Sequence, residues 1–135
     1  MSWPQRVLYV EDDPTHVLLA RRILERQGIE VDSVADGVEA LTRLGERPPE
    51  LVLVDLELPN LGGLALIRAL RKDRALRDLP VVAVSASTVR GERRQALTAG
   101  ADAFLEKPYA LSELLQSVAD ACRDRRAKAK RSKPG

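Results

Sequence analysis

Short apolar runs alternate with helix-forming stretches along the whole chain, and this alternation limits the fold more than any other feature. The runs fall at 7–10, 30–34, 51–54, 81–84 and 103–106. Each is too short for a buried helix and rich enough in Val and Leu to read as a strand buried on both faces. Between them lie segments with apolar residues at helical spacing. Asp13-Pro14 offers an N-cap and a first helical position, followed by Val17, Ala20 and Leu24, with an end at Gln27 before Gly28. Asp36 caps a second helix through Leu44, with Val38, Leu41 and Leu44 facing inward. A third helix is expected over 63–72 with Leu64, Ile67 and Leu70 as its apolar set, and a fourth over 89–99, stopped by Gly100. The last is expected over 111–125, with Leu111, Leu114, Leu115, Val118 and Cys122 along one face, so Cys122 reads as a small core residue. Strict strand–helix alternation implies a parallel sheet with helices on both faces, joined by right-handed crossovers. The fold class is therefore α/β: a flavodoxin-like, doubly wound, five-stranded parallel sheet in the order 2-1-3-4-5 with five helices.

A chain of 135 residues suffices for one domain with a real core, and 44 % apolar content fits a packed globule. No stretch approaches the roughly 20 apolar residues of a membrane span. The N-terminal residues show no signal-peptide pattern, and a single cysteine rules out an internal disulfide. A cytoplasmic protein without membrane contact is expected. The net charge of +2 conceals an asymmetry: residues 123–135 carry seven basic residues and one acid, so the preceding body sums to −4. The division expected is a domain over 5–122 and a basic, frayed tail over 123–135. With no aromatic residue for base stacking, the tail gives little support to nucleic-acid binding.

The order 2-1-3-4-5 puts the topological switch point, where such folds bind ligands, between the first and third strands. Those two strands end in acids: Glu11-Asp12-Asp13 after the first, Asp55 after the third. Like charges in one crevice repel, and a hard divalent cation relieves them; oxygen ligands with room for water suit magnesium or manganese. Asp13 is assigned to capping. The fourth strand delivers Ser85 to the same rim, and the fifth leads into Lys107-Pro108. Acids, a hydroxyl and a lysine thus arrive at one edge from four strands. His16, the only histidine, lies off the 17-20-24 stripe and reads as a surface residue. Trp3 and Tyr109 read as packing or partner contacts.

With these residues in these places, residues 5–122 closely resemble the receiver domain of two-component response regulators, of the stand-alone, chemotaxis-regulator-like type. The resemblance implies that Asp55 is the phosphoacceptor, taking a phosphoryl group from a sensor histidine kinase or histidine phosphotransfer protein. It implies that Asp12, Asp55 and the backbone carbonyl of Glu57 ligate magnesium, with Glu11 assisting through water. It makes Lys107 the partner of the phosphoryl oxygens, the Lys107–Pro108 bond cis, Ser85 the switch hydroxyl and Phe104 the switch aromatic. Pro59 and Gly63 match the loop after the phosphoacceptor, and Glu57 and Ser87 flank the site. Phosphorylation would then remodel the helix 4–helix 5 face for an unknown downstream protein. Two positions depart from the commoner pattern: Ser85 stands where threonine is frequent, and Phe104 where tyrosine is frequent.

Two other readings compete. A receiver-shaped binding module would never carry phosphate, and the full Glu11, Asp12, Asp55 and Lys107 set speaks against it. A magnesium-dependent phosphohydrolase resembling the haloacid dehalogenase group would want two acids two apart after the first strand and a cap domain; here the acid with the loop follows the third strand. No glycine-rich nucleotide motif is present.

Overall fold

A computed structural model describes residues 3–86 and 90–132. The elements alternate as the sequence implies: β1 (Arg6–Val10), α1 (Pro14–Glu25), β2 (Glu30–Val34), α2 (Gly37–Glu46), β3 (Leu51–Asp55), α3 (Gly63–Lys72), β4 (Val81–Ser85), α4 (Glu92–Ala99), β5 (Ala103–Glu106) and α5 (Leu111–Ser132). All strand pairs are parallel, and the sheet order is β2-β1-β3-β4-β5. This is the flavodoxin-like arrangement.

Side chains alternate across the sheet and feed two cores. On one face Leu8, Val10, Val52, Val54 and Ala83 pack against α2, α3 and α4 through Ala40, Leu44, Leu66, Ile67, Leu70 and Ala96. On the other, Val7, Tyr9, Leu51, Leu53, Val82 and Val84 meet α1 and α5 through Ala20, Ile23, Leu24, Leu114, Val118 and Ala121. Trp3, Tyr109 and Cys122 pack at the margin of this second core. Burial pushes the Cys122 thiol above its usual pKa. Every residue of β3 and β4 is buried, which is why their sequences are continuous apolar runs rather than alternating ones. Each fully buried Val or Leu contributes about 1.5–3 kcal/mol through removal from water.

Several expectations shift. Val38 and Leu41 do not face inward: they are 57 % and 38 % exposed, and Gly37, Ala40 and Leu44 form the buried face of α2. The stripe is turned by one residue, about 100°. Gly37 sets this orientation, because a Cβ there would lie 2.6 Å from the carbonyl oxygen of Leu61, so only glycine lets α2 approach the loop after β3. Leu66 joins Ile67 and Leu70 on α3, whereas Leu64 is only partly buried. α1 ends at Glu25, and Gly28 takes a left-handed conformation (φ +80°). α4 starts at Glu92, because Gly91 just before it is also left-handed (φ +86°) and cannot continue a right-handed helix; residue 89 lies outside the described residues.

The largest correction concerns the basic segment. α5 continues to Ser132 instead of fraying after 125, and Leu111, at its start, is 49 % exposed. Residues 133–135 lie outside the described residues. The extension is held by Asp102, whose carboxylate is fully buried. One oxygen accepts from Arg71 Nη2 (2.9 Å) and the backbone amide of Val81 (2.9 Å); the other pairs with Arg125 (2.9 Å) and Lys128 (3.4 Å). Arg71 also donates to the carbonyls of Gly100, Arg77 and Leu79. Burial pulls the Arg71 pKa down, and Asp102 counters it. This hub sits beside the starts of β4 and β5, at the opposite end of the sheet from the acids.

Candidate functional site

Register brings the acids together. Val10 pairs with Val54, so the next residues, Glu11 and Asp55, lie side by side at the edge of the sheet. Asp55 pairs with Val84 and Ser85 with Glu106, which carries Ser85 and Lys107 to the same edge. The amide of Lys107 donates to the Ser85 carbonyl (2.8 Å).

Asp55 is only 2 % exposed. Its Oδ1 accepts from the backbone amide of Glu57 (2.7 Å) and its Oδ2 from Lys107 Nζ (2.7 Å). The first contact is a turn closed by the side chain, and it holds the chain tightly after β3. Gly63 makes room for it: a Cβ at that position would fall 2.5 Å from the Asp55 carbonyl oxygen and 2.6 Å from Leu56 Cα. Asn60 fixes the far side of the loop, adopting φ +63° and donating to Asp36 Oδ2 (3.2 Å) while Asp36 Oδ1 caps Glu39.

Glu11 is buried as well. Its Oε1 accepts from Lys107 Nζ and from the Tyr9 hydroxyl (3.2 Å), and its Oε2 accepts from the Asp13 amide (3.3 Å). Burial raises the Glu11 pKa and Asp55 raises it further, against the opposing pull of Lys107. Burial lowers the affinity of Lys107 for its proton, yet the hydrogen bonds to Asp55 and Glu11 outweigh it, and the net shift is upward. Tyr9 is pushed up by burial first, by Tyr109 second and by its acidic neighbours Glu11 and Asp55 after that.

Ser85 is fully buried, and its Oγ donates to Glu57 Oε1 (2.9 Å). Phe104 is partly buried against the α3–α4 side of the sheet, with the Arg93 guanidinium 5.3 Å from its ring centroid, within cation–π range. The Lys107–Pro108 bond is cis. Asp13 caps α1 by accepting from the Thr15 amide (2.8 Å), and this holds its pKa down. Ser87 lies outside the described residues.

Not all expected site residues converge. Asp12 is exposed and lines an open cleft beside Glu11 and Pro14, because neighbouring side chains diverge as the chain leaves a strand. Among the described residues, the three potential ligands whose atoms lie within 4.8 Å of one another are Glu11, Asp55 and His16. His16 is the residue that sequence reasoning set aside. Its Nδ1 stands 3.2 Å from Glu11 Oε1 and 2.9 Å from Lys107 Nζ. The signal was available: with Asp13 at the N-cap, residue 16 falls in the first turn, and that turn must point at the rim where β1 ends.

Chemically, the site sets two buried carboxylates against one ammonium, with a third carboxylate, Asp12, at the mouth. The oxygen donors of Glu11, Asp12 and Asp55 and an open cleft with room for water fit a small hard cation. The Asp55 carboxylate, flanked by Lys107, has the chemistry to attack an electrophile, and the Ser85 hydroxyl lies on the neighbouring strand.

Comparison with known proteins identifies the family. The polar-differentiation response regulator DivK of Brucella anthropi is 32 % identical over 115 residues, covering 85 % of this chain and 94 % of that protein. The crystal structure of a putative response regulator from Chloroflexus aurantiacus superposes with a TM-score of 0.85 at 28 % identity, covering 89 % of this chain and 98 % of that one. The receiver domain of a sensor histidine kinase from Pseudomonas aeruginosa, solved with a magnesium ion coordinated in its active-site cleft, gives 0.80 at 30 % identity, covering 88 % and 98 %. No described helix is long and apolar enough to cross a membrane. The sequence profile of the response regulator receiver domain matches residues 7–119, from β1 into α5 and across every strand that supplies the site, so the chain belongs to the response regulator receiver family.

Proposed function

We propose that Asp55 accepts a phosphoryl group from the phosphohistidine of a sensor histidine kinase or histidine phosphotransfer protein, and that the phosphorylated chain signals by protein contact. The observation that carries this reading is the clamp on Asp55: a buried carboxylate at a strand end, one oxygen held by the Glu57 amide and the other by Lys107. In the transfer, an Asp55 carboxylate oxygen bonds to phosphorus as the phosphorus–nitrogen bond of the donor breaks, and the imidazole keeps that electron pair. The transition state is loose, with charge on three equatorial oxygens, so positioning and electrostatics supply most of the acceleration. Lys107 meets one oxygen. Ser85 Oγ gives up its bond to Glu57 and donates to another. Magnesium, held by Asp12, Asp55 and the Glu57 carbonyl with Glu11 through water, would add positive charge opposite the same oxygens; manganese meets the same donor set. The inward move of Ser85 leaves space beside Phe104, whose ring and its Arg93 partner couple the site to α4 and to the α4–α5 face. The chain acts as a phosphoacceptor that assists its own modification and its reversal, rather than as an enzyme of many turnovers.

Incubation with a small acyl-phosphate donor and magnesium is expected to add one phosphoryl group, mapped to Asp55 by mass spectrometry and absent from Asp55→Asn. Equal labelling of that variant rejects the assignment. No labelling of the native chain would leave a phosphorylation-independent binding module, and sustained release of phosphate from many esters would favour a hydrolase.

A further inference from the structure

Lys107 Nζ occupies a seat with three walls: Glu11 Oε1, Asp55 Oδ2 at 2.7 Å and His16 Nδ1 at 2.9 Å. An ammonium has three N–H bonds, and here each has an acceptor. His16 turns Nδ1 inward, where it also lies 3.2 Å from Glu11 Oε1, and its Nε2 faces Asp13 Oδ2 at 3.6 Å. One ring nitrogen open toward a cation, with the other turned to a carboxylate, is the arrangement that orients a metal-ligating histidine. Asp13 is itself fixed by the Thr15 amide, and Glu11 by the Tyr9 hydroxyl and the Asp13 amide. A cleft of about 360 Å³ lined by His16, Leu19, Ala86, Lys107, Pro108 and Tyr109 gives access to the seat.

The geometry points to a second metal specificity: a late first-row transition ion, of which Zn²⁺ is representative, binds in the seat of the Lys107 ammonium through His16 Nδ1 and the carboxylates of Glu11 and Asp55. The ligand set differs from the oxygen-only set that suits magnesium. Imidazole favours zinc, nickel and copper, and magnesium gains little from it. Three protein ligands leave a fourth tetrahedral position for water. Such an ion takes an oxygen of Asp55 and evicts Lys107 from it, so it holds the site out of phosphoacceptance until the metal leaves. The inference uses the same acids as the proposed transfer, but ligation does not require Asp55 to be phosphorylated.

Calorimetric titration of the full chain with Zn²⁺ and separately with Mg²⁺ tests it. Native protein is expected to bind Zn²⁺ at one site, at least about tenfold more tightly than Mg²⁺. His16→Ala is expected to lose about tenfold or more in Zn²⁺ affinity while Mg²⁺ affinity stays within about twofold. The His16 side chain is 41 % exposed, so its removal leaves the cores intact. Asp13→Asn, which retains a good N-cap, is expected to weaken Zn²⁺ binding to a lesser extent. Unchanged Zn²⁺ affinity in His16→Ala overturns the inference, and so does an equal loss for both metals. Failure of Asp55 to take up phosphate would leave these titrations untouched, so the two readings fail separately.

Discussion

Glu57 sets the resting condition of the site at the scale of single residues. Its amide holds Asp55 Oδ1 while its carboxylate accepts from Ser85 Oγ, so one residue grips both the Asp55 carboxylate and the Ser85 hydroxyl. Glu57→Ala keeps the first contact and removes the second, together with a negative charge beside the arriving phosphoryl group. Hydrogen bonds to charged groups contribute about 1.5–3 kcal/mol, so removal of this competitor should raise the phosphorylated fraction at a fixed donor concentration about tenfold. Phosphoprotein electrophoresis reads the result, and an unchanged or lower fraction removes Glu57 from the switch. The residue scale is also where the sequence was hardest to read. Asp55, Lys107 and Ser85 were legible because each ends or follows a strand and all five strands point one way. His16 was not, because an apolar stripe on α1 ranks residues by their burial in the core and says nothing about the helix end, where a side chain serves a neighbouring loop.

Elements tell a similar story. Strand positions were read well because β3 and β4 are buried on both faces and leave unbroken apolar runs. Helix faces were read less well. On α2 the inward position is held by Gly37, which contributes no hydrophobicity and acts only by letting Leu61 come close. The end of α5 was misread because a run of Arg and Lys looks solvated, whereas Arg125 and Lys128 are tied to an acid from the turn before β5. That acid is the point to test. Asp102→Ala strips the half-buried Arg71 of its carboxylate and Arg125 of its anchor, and breaking one side of a buried ion pair costs about 3–5 kcal/mol. Urea unfolding should show the loss in its midpoint. The helical circular-dichroism signal of the folded variant should also fall as the α5 extension frays; a midpoint close to native would reduce the hub to surface charge.

The body before residue 123 carries a net negative charge, with a buried acid cluster at one end of the sheet, and a basic helix extends toward the other end. A cation that binds only the folded state should stabilise it, by about 2.7 kcal/mol at a hundredfold excess over its dissociation constant. Mg²⁺ in that range is therefore expected to raise the thermal midpoint by several degrees, and Asp12→Asn should diminish the rise. An unmoved midpoint at millimolar metal counts against the acidic crevice as an ion site. The Arg71–Asp102–Arg125 hub bears on how a signal could travel through this body. α5 begins a few residues after Lys107 and is clamped at Arg125, near the other end of the sheet. A rod pinned near one end does not slide when pushed at the other. Leu114, Val118 and Ala121 hold the middle of α5 in the core as well, so the part freest to answer a displacement of Lys107 is its opening turn, where Leu111 faces solvent.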